Sequence, residues 1–445
     1  MANILDYLAW RGDIPLSASP WNELDSLLIS VLSYLNFHGT QDPRGWTLQE
    51  AKRIDLLIPD PGSSFPKRKE VFDMMADSRR FGECRMHHQI VLTDHGLTMQ
   101  FSAMCVDLPD GTMAVAYRGT DNTLVGWRED FNMAYQTRVP GQEAAGYYLR
   151  KAARLDERPL RIMGHSKGGN LAVYAAADVP ERVQGRIEYI WSFDGPGVNP
   201  DMARSEGFGR IKDRIISFIP QTSIIGLLME YYRPYTVVRS TAKGIEQHDP
   251  LTWQVYGRRF EEMESVDRTA AVVQETLREC LTNSTPEQRA AFVETLFRLA
   301  DSTNATRMSD LLNEKYKSLW RMVGNRKEVD PETRRIFNRL VAQAVTLGFG
   351  NVVERVRGRS EQDGPEEWTT MDAGAPVNAA EPLPEKPAEK IADKPTEKIA
   401  EKTEEKNSAP KRVLKKVMIR KGNRVTAGEP GLYFQKTDLD KRGQL

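Results

Sequence analysis

The sequence predicts an α/β fold, a mainly parallel sheet with helices on both faces, and two observations carry that reading. Short β-rich runs recur at Leu97 to Leu108, Met113 to Tyr117, Leu160 to Met163, Ile187 to Phe193, Arg214 to Ile219 and Tyr235 to Val238. From Met113 onward the segments between these runs, such as Gly141 to Ala153 and Asn170 to Ala177, are long enough for the crossover helices that parallel strands require. Ahead of the strands, Leu27, Leu28, Val31, Leu32 and Leu35 recur at helical spacing within Asp25 to Phe37, which is the apolar face of a buried helix.

After Asp267 the apolar period changes to that of helices. Thr285-Pro-Glu-Gln reads as a capping box with proline at the first helical position, followed by a stripe of Phe292, Val293, Leu296, Leu299 and Ala300. Asp330-Pro-Glu-Thr opens a second such helix with Ile336, Phe337, Leu340, Val341 and Ala344 on one face. The expected layout is therefore a sheet domain over 1–266 and a helical appendage packed on it over 267–359. Composition then shifts: 360–410 is poor in large apolar residues, rich in Pro, Glu and Lys, and holds an approximate repeat, Pro387-Ala-Glu-Lys-Ile-Ala-Asp-Lys then Pro395-Thr-Glu-Lys-Ile-Ala-Glu-Lys. Such a segment buries too little to offset chain entropy and reads as a disordered linker. The closing 411–445 is a basic tail in which Lys411, Arg412, Lys415, Lys416, Arg420 and Lys421 interleave with apolar residues. A solvated tail, or docking to RNA, an acidic partner or a membrane surface, are the readings its spacing leaves open.

Charge and cysteine usage narrow the function classes. The 445 residues hold 62 basic and 62 acidic side chains, so wholesale attraction to nucleic acid or anionic membrane is not expected. Cys84, Cys105 and Cys280 are widely spaced and odd in number, with neither a disulfide framework nor zinc-ligand spacing, which fits a reducing compartment. The N-terminus lacks the basic start and unbroken apolar stretch of a secretory signal, and no apolar run approaches the ~18 residues of a membrane-spanning helix. A cytoplasmic address is the expectation.

The strongest chemical signal is Arg161-Ile-Met-Gly164-His165-Ser166-Lys167-Gly168-Gly169-Asn170. This G-x-S-x-G stretch follows a β-run and opens a helix-forming run, the context of a nucleophile elbow. Gly164 and Gly168 sit where a Cβ would collide with neighbouring backbone, and the helix start beside Ser166 favours a developing oxyanion. A serine needs a base, and the sequence holds six histidines. His165 lies inside the elbow and is expected to support the turn; His38, His87, His88 and His95 precede the serine. In the chain order serine, acid, histidine, His248 in Gly244-Ile-Glu-Gln-His248-Asp249-Pro250 is the sole downstream candidate. For the acid, the loop Pro220-Gln221-Thr222-Ser223 carries no carboxylate. Asp194, at the end of a β-run in Phe193-Asp194-Gly-Pro-Gly, either takes that role or caps its own turn, and Asp249 ranks behind it. Two oxyanion donors are expected from the amides of Lys167 and Thr120, the latter in Tyr117-Arg118-Gly119-Thr120-Asp121. Asp130 either pins that loop through Arg118 or caps a helix. The apolar segment Ile224 to Met229 is either an acyl-pocket wall or core.

With these residues in view the chain resembles the Mbeg-like family, bacterial α/β-hydrolases related to the class three, fungal-type lipases. The resemblance covers roughly residues 1–359 and rests on Asn3-Ile-Leu-Asp-Tyr-Leu-Ala-Trp-Arg-Gly-Asp, Ser33-Tyr-Leu-Asn-Phe, Arg118-Gly-Thr-Asp-Asn-Thr-Leu-Val-Gly-Trp-Arg-Glu-Asp-Phe-Asn, Gly164-His-Ser-Lys-Gly-Gly-Asn-Leu-Ala, Phe193-Asp-Gly-Pro-Gly and Gln247-His-Asp-Pro. It implies Ser166 as nucleophile, His248 as base, and Thr120 and Lys167 as oxyanion donors; the lipase acid does not carry over. The function implied is a serine hydrolase acting on a small-molecule or lipid carboxyl ester through an acyl-enzyme, with no metal or organic cofactor required. The rival is a catalytically weak hydrolase-like scaffold that serves as a binding or regulatory module.

Overall fold

The computed structural model describes residues 2–60 and 67–301, except 122, 134, 224, 227, 228, 230, 231, 268, 269 and 271–284. Within them a nine-stranded sheet runs in chain order from edge to edge. Its strands are β1 (Trp46–Thr47), β2 (Arg85–Asp94), β3 (Met99–Asp107), β4 (Met113–Tyr117), β5 (Leu160–His165), β6 (Ile187–Phe193), β7 (Ile215–Pro220), β8 (Tyr235–Val238) and β9 (Glu262–Met263). β4 to β8 are parallel. β1, β2 and β3 pair antiparallel on one flank and β9 on the other. The sheet is thus mixed, with the expected parallel run at its centre. β2 is the long strand that the sequence reading did not identify; His87, His88 and Gln89 interrupt its polar and apolar alternation at a bulge.

The helices that concern the sheet and the site are α1 (Ile4–Arg11), α2 (Glu23–Leu32), α3 (Arg68–Asp77), α4 (Leu124–Asn132), α5 (Pro140–Ala152), α6 (Lys167–Asp178), α7 (Glu206–Ile211) and α8 (Pro286–Asp301), beside other short helices. Sequential parallel strands joined by right-handed crossovers place their connecting helices on one face. Accordingly α5, α6 and α7 pack with Ala103, Cys105, Val115 and Ile162 in one apolar cluster. The intervening Met104, Val106, Ala116 and Met163 point the other way, into a cluster with α1, α2 and α3. Both faces are covered, as expected, but the second cover comes from the N-terminal helices.

Those helices are held by polar contacts as well as apolar ones. Asn22 and Asp25 form a capping box that starts α2. Asp25 also accepts from Arg80 Nε at 2.8 Å and Nη2 at 2.5 Å and from the Tyr7 hydroxyl at 2.7 Å. Arg80 further donates to the carbonyls of Ile14 and Ser19, at 3.1 and 2.9 Å. The capping box at Thr285 is present, with Thr285 N–H donating to Gln288 Oε1 at 2.7 Å and Gln288 N–H to Thr285 Oγ1 at 3.2 Å. α8 packs on α4 through Phe131 and Phe297 and an Arg128–Glu294 ion pair. The expected helix after Asp330, the linker 360–410 and the tail 411–445 lie outside the described residues. Cys84 and Cys105 are free and buried, and among the described residues no helix is long and apolar enough to cross a membrane.

Candidate active site

Ser166 sits between β5 and α6 with φ 59° and ψ −136°, a left-handed conformation that costs a non-glycine residue energy and is held by its surroundings. The turn is tight enough that a Cβ on Gly164 would lie 2.2 Å from the Gly168 carbonyl, and one on Gly168 would lie 2.1 Å from Tyr117 O. Gly169 packs α6 against the end of β6, where its Cβ would meet Ser192 Oγ at 2.5 Å. No side chain caps α6, so its first amides, Lys167 included, face the elbow.

The next strand over ends the same way. Asp194, fully buried, follows β6 with φ 47°, and its N–H donates to Phe218 O at 2.7 Å, while Ser166 N–H donates to Phe193 O at 2.9 Å. Asp194 Oδ2 lies 2.6 Å from His248 Nδ1, and Oδ1 accepts from the Ser223 hydroxyl and, at 3.2 Å, from Gly226 N–H. A carboxylate facing Nδ1 places the ring proton there and leaves Nε2 with a lone pair. The loop Pro220 to Ser223 therefore supplies a hydroxyl to the acid on the neighbouring strand, and Asp194 faces the histidine instead of capping its own turn. Asp249 is spent locally: it caps the following turn through Leu251 N–H at 3.0 Å, and burial pushes its carboxyl above the usual range. Among the described residues Ser166 Oγ makes no hydrogen bond.

His165 supports more than the turn. Its Nε2 donates to His248 O at 2.8 Å, because a carbonyl can only accept, and its Nδ1 accepts from the Tyr34 hydroxyl at 2.9 Å. The two imidazoles lie 4.6 Å apart between centroids. Burial, with repulsion from His248, holds the His165 ring well below the usual histidine range, so it is a neutral spacer. Tyr34 comes from the loop after α2, which brings the N-terminal layer into the site.

On the other side of the elbow, the chain at Gly119, the residue before Thr120, passes so close that a Cβ there would lie 2.8 Å from Ser166 Cβ. The Thr120 hydroxyl donates to Asp130. Arg118 does not join that link; it turns to Ser33 O at 2.6 Å, Leu35 O at 3.1 Å and Asn36 Oδ1 at 2.5 Å. Asp130 thus holds the loop directly. Lys167 is buried, with Nζ donating to Gln100 O and Oε1 at 2.9 Å and to Glu129 Oε2 at 3.0 Å. Burial alone would lower the Lys167 ammonium, but Glu129 and Asp130 more than offset it and raise it above the usual lysine value. Burial lifts Asp130 to about 6 against the pull of Lys167.

Tyr34, Gln100, Glu129 and Ser223 fall within stretches quoted from the sequence without a role of their own; only their places in the fold bring them here. Ile224, Leu227 and Leu228 of the apolar segment lie outside the described residues. A separate cavity of about 340 Å³ lies at the far end of α6, lined by Tyr174, Asp178, Arg138 and Arg210, and includes none of the candidate site residues.

The Mbeg1-like family model matches residues 75–298, half of the chain. The chain belongs to the Mbeg1-like family. Solved structures similar to this family member include a fungal lipase at 14% identity and TM-score 0.34, covering 57% of this chain and 90% of that one. M37 lipase follows at 16% identity and TM-score 0.31, covering 45% and 68%. The lipase from Rhizopus microsporus var. chinensis stands at 14% and 0.30, covering 45% and 72%. A comparison with curated proteins found no match. The expected α/β class, a mainly parallel sheet with helices on both faces, agrees with the observed sheet, whose β4 to β8 run parallel.

Proposed function

We propose that this Mbeg1-like protein is a serine hydrolase of carboxyl esters. Ser166 Oγ attacks the ester carbonyl as His248 Nε2 takes its proton, and Asp194 holds the ring in that tautomer and balances the imidazolium. The amides of Thr120 and Lys167 receive the tetrahedral oxyanion. Collapse expels the alcohol with the proton from His248; water, activated by the same histidine, then adds to the acyl-serine and releases the acid. The observation that carries this reading is the 2.6 Å contact between His248 Nδ1 and buried Asp194, set on the strand end beside a strained Ser166. The Ser166 hydroxyl to His248 contact is the one that tightens with substrate, as catalytic hydrogen bonds commonly do.

The second reading, a binding or regulatory module on a hydrolase-like scaffold, draws on that same gap: Ser166 Oγ has no hydrogen bond to His248. A fluorophosphonate probe separates the two. The hydrolase reading expects covalent labelling of the wild type that disappears in Ser166→Ala and in His248→Ala. A folded wild type that takes no label at all favours the module.

A further inference from the structure

We propose that Lys167 is a positioning residue of the oxyanion site: its buried ammonium holds Asp130, and through Asp130 the Thr120 loop, beside the Ser166 elbow. This rests on the serine-hydrolase reading and deepens it. The Lys167 side chain is 1% exposed. An ammonium so far from water is stable only when surrounded by acceptors, and it has them in Glu129 Oε2 and both oxygens of Gln100. Asp130 Oδ1 lies 3.8 Å from Nζ and makes no hydrogen bond of its own among the described residues, so the lysine charge is what balances it. Asp130 Oδ2 accepts from the Thr120 hydroxyl.

The contacts therefore run from the residue after Ser166 to the residue that bears the second candidate donor. Lys167 acts twice, with its amide at the first turn of α6 and its Nζ reaching the end of α4. Glu129 is fixed in turn, accepting from Gly141 N–H at 2.6 Å and Gln100 N–H at 3.0 Å, which ties α4 to the start of α5 and to β3. A methionine of similar length would fill the same space without desolvating a charge, so what the charge adds is the placement of α4 and its loop. Placement matters because a shift of about 1 Å in a donor is worth about a hundredfold in rate.

The test uses the full-length protein, p-nitrophenyl butyrate hydrolysis and thermal melting. Lys167→Met is expected to lower kcat by about tenfold to a hundredfold with KM within about threefold, and to melt earlier because Glu129 loses its partner. The double variant Lys167→Met with Glu129→Gln removes both charges and keeps the low kcat, since Asp130 still lacks its cation; it melts below the wild type, because one of the two N–H groups from which Glu129 accepts then faces an amide NH2. Asp130→Asn keeps an oxygen for the Thr120 hydroxyl but removes the charge that faces Lys167, leaves the Lys167–Glu129 pair intact, and reproduces the kcat loss. A double variant, or Asp130→Asn, that turns over within about threefold of the wild type overturns the proposal and leaves an ordinary buried ion pair. A wild type that neither hydrolyses the ester nor takes the fluorophosphonate overturns the hydrolase reading instead.

Discussion

Two non-glycine residues with positive φ stand side by side at the ends of β5 and β6, Ser166 and Asp194, and both belong to the candidate site. Strain of this kind survives only where neighbouring contacts over-determine the backbone. Glycine adopts the Ser166 conformation without cost, so Ser166→Gly should be more stable than Ser166→Ala by about 1 kcal/mol, although both lack a nucleophile. Urea titration of the two variants measures this, and a less stable glycine variant would show that the turn stores no strain. At Asp194 the expectation is kinetic. Asp194→Asn should lower kcat by about 10⁴, because an amide no longer selects the Nδ1–H tautomer of His248. A loss below about tenfold in a folded variant would remove Asp194 from the reaction. Ser166 and the elbow glycines were legible as candidates because the turn needs them at fixed spacing, and His248 because it is the sole histidine after that serine. Asp194 stayed one of several options, since the sequence cannot tell which carboxylate crosses to a histidine on another loop.

At the scale of elements, periodicity and turn chemistry located β4, β6 and β8 to the residue, and α2, α5 and α6 to within a few residues. β2 escaped because its bulge, with His88 at φ 52°, breaks the alternation on which strand recognition depends. One buried ion pair ties the N-terminal layer together beside its apolar packing. Arg80 and Asp25 are both buried, and together they join α1, α2 and the turn after α3. Arg80→Ala leaves the Asp25 carboxylate without its cation and should cost about 3–5 kcal/mol. The loss should show as a lower denaturation midpoint. If the variant lies within about 1 kcal/mol of the wild type, the layer is held by apolar packing instead. Because Tyr34 follows α2 and reaches His165, the same variant should also slow turnover.

For the molecule as a whole, two buried histidines couple stability to pH. Burial, with His87 beside it, pushes the His88 ring down to about 4, and His165 lies well below the usual range. Both stay neutral in the fold, whereas the unfolded chain protonates them near about 6.5. Their contribution is complete above that pH and is lost as pH falls, because the unfolded state binds protons the native state refuses. Asp130 opposes this: raised to about 6, it takes up a proton in the fold before the unfolded chain does, so its contribution grows as pH falls below that value. His88→Asn removes one proton deficit, and asparagine tolerates the left-handed backbone there. The slope of stability against pH between about 6.5 and 4.5 should then fall by about 1.4 kcal/mol per pH unit. An unchanged slope in urea titrations across that range would mean that His88 protonates as freely in the fold as out of it.

Local chemistry written along the chain was enough for the α/β class, the elbow and the candidate base, since strands, crossovers and a nucleophile turn each constrain residues that are near one another in order. Partners that meet across the sheet were beyond that reach. Asp194 on His248, His165 between Tyr34 and the base loop, and Lys167 on Glu129 and Asp130 join segments far apart in the chain. Their pairing follows from strand order and from the need of every buried charge or polar atom to find a counterpart once water is excluded.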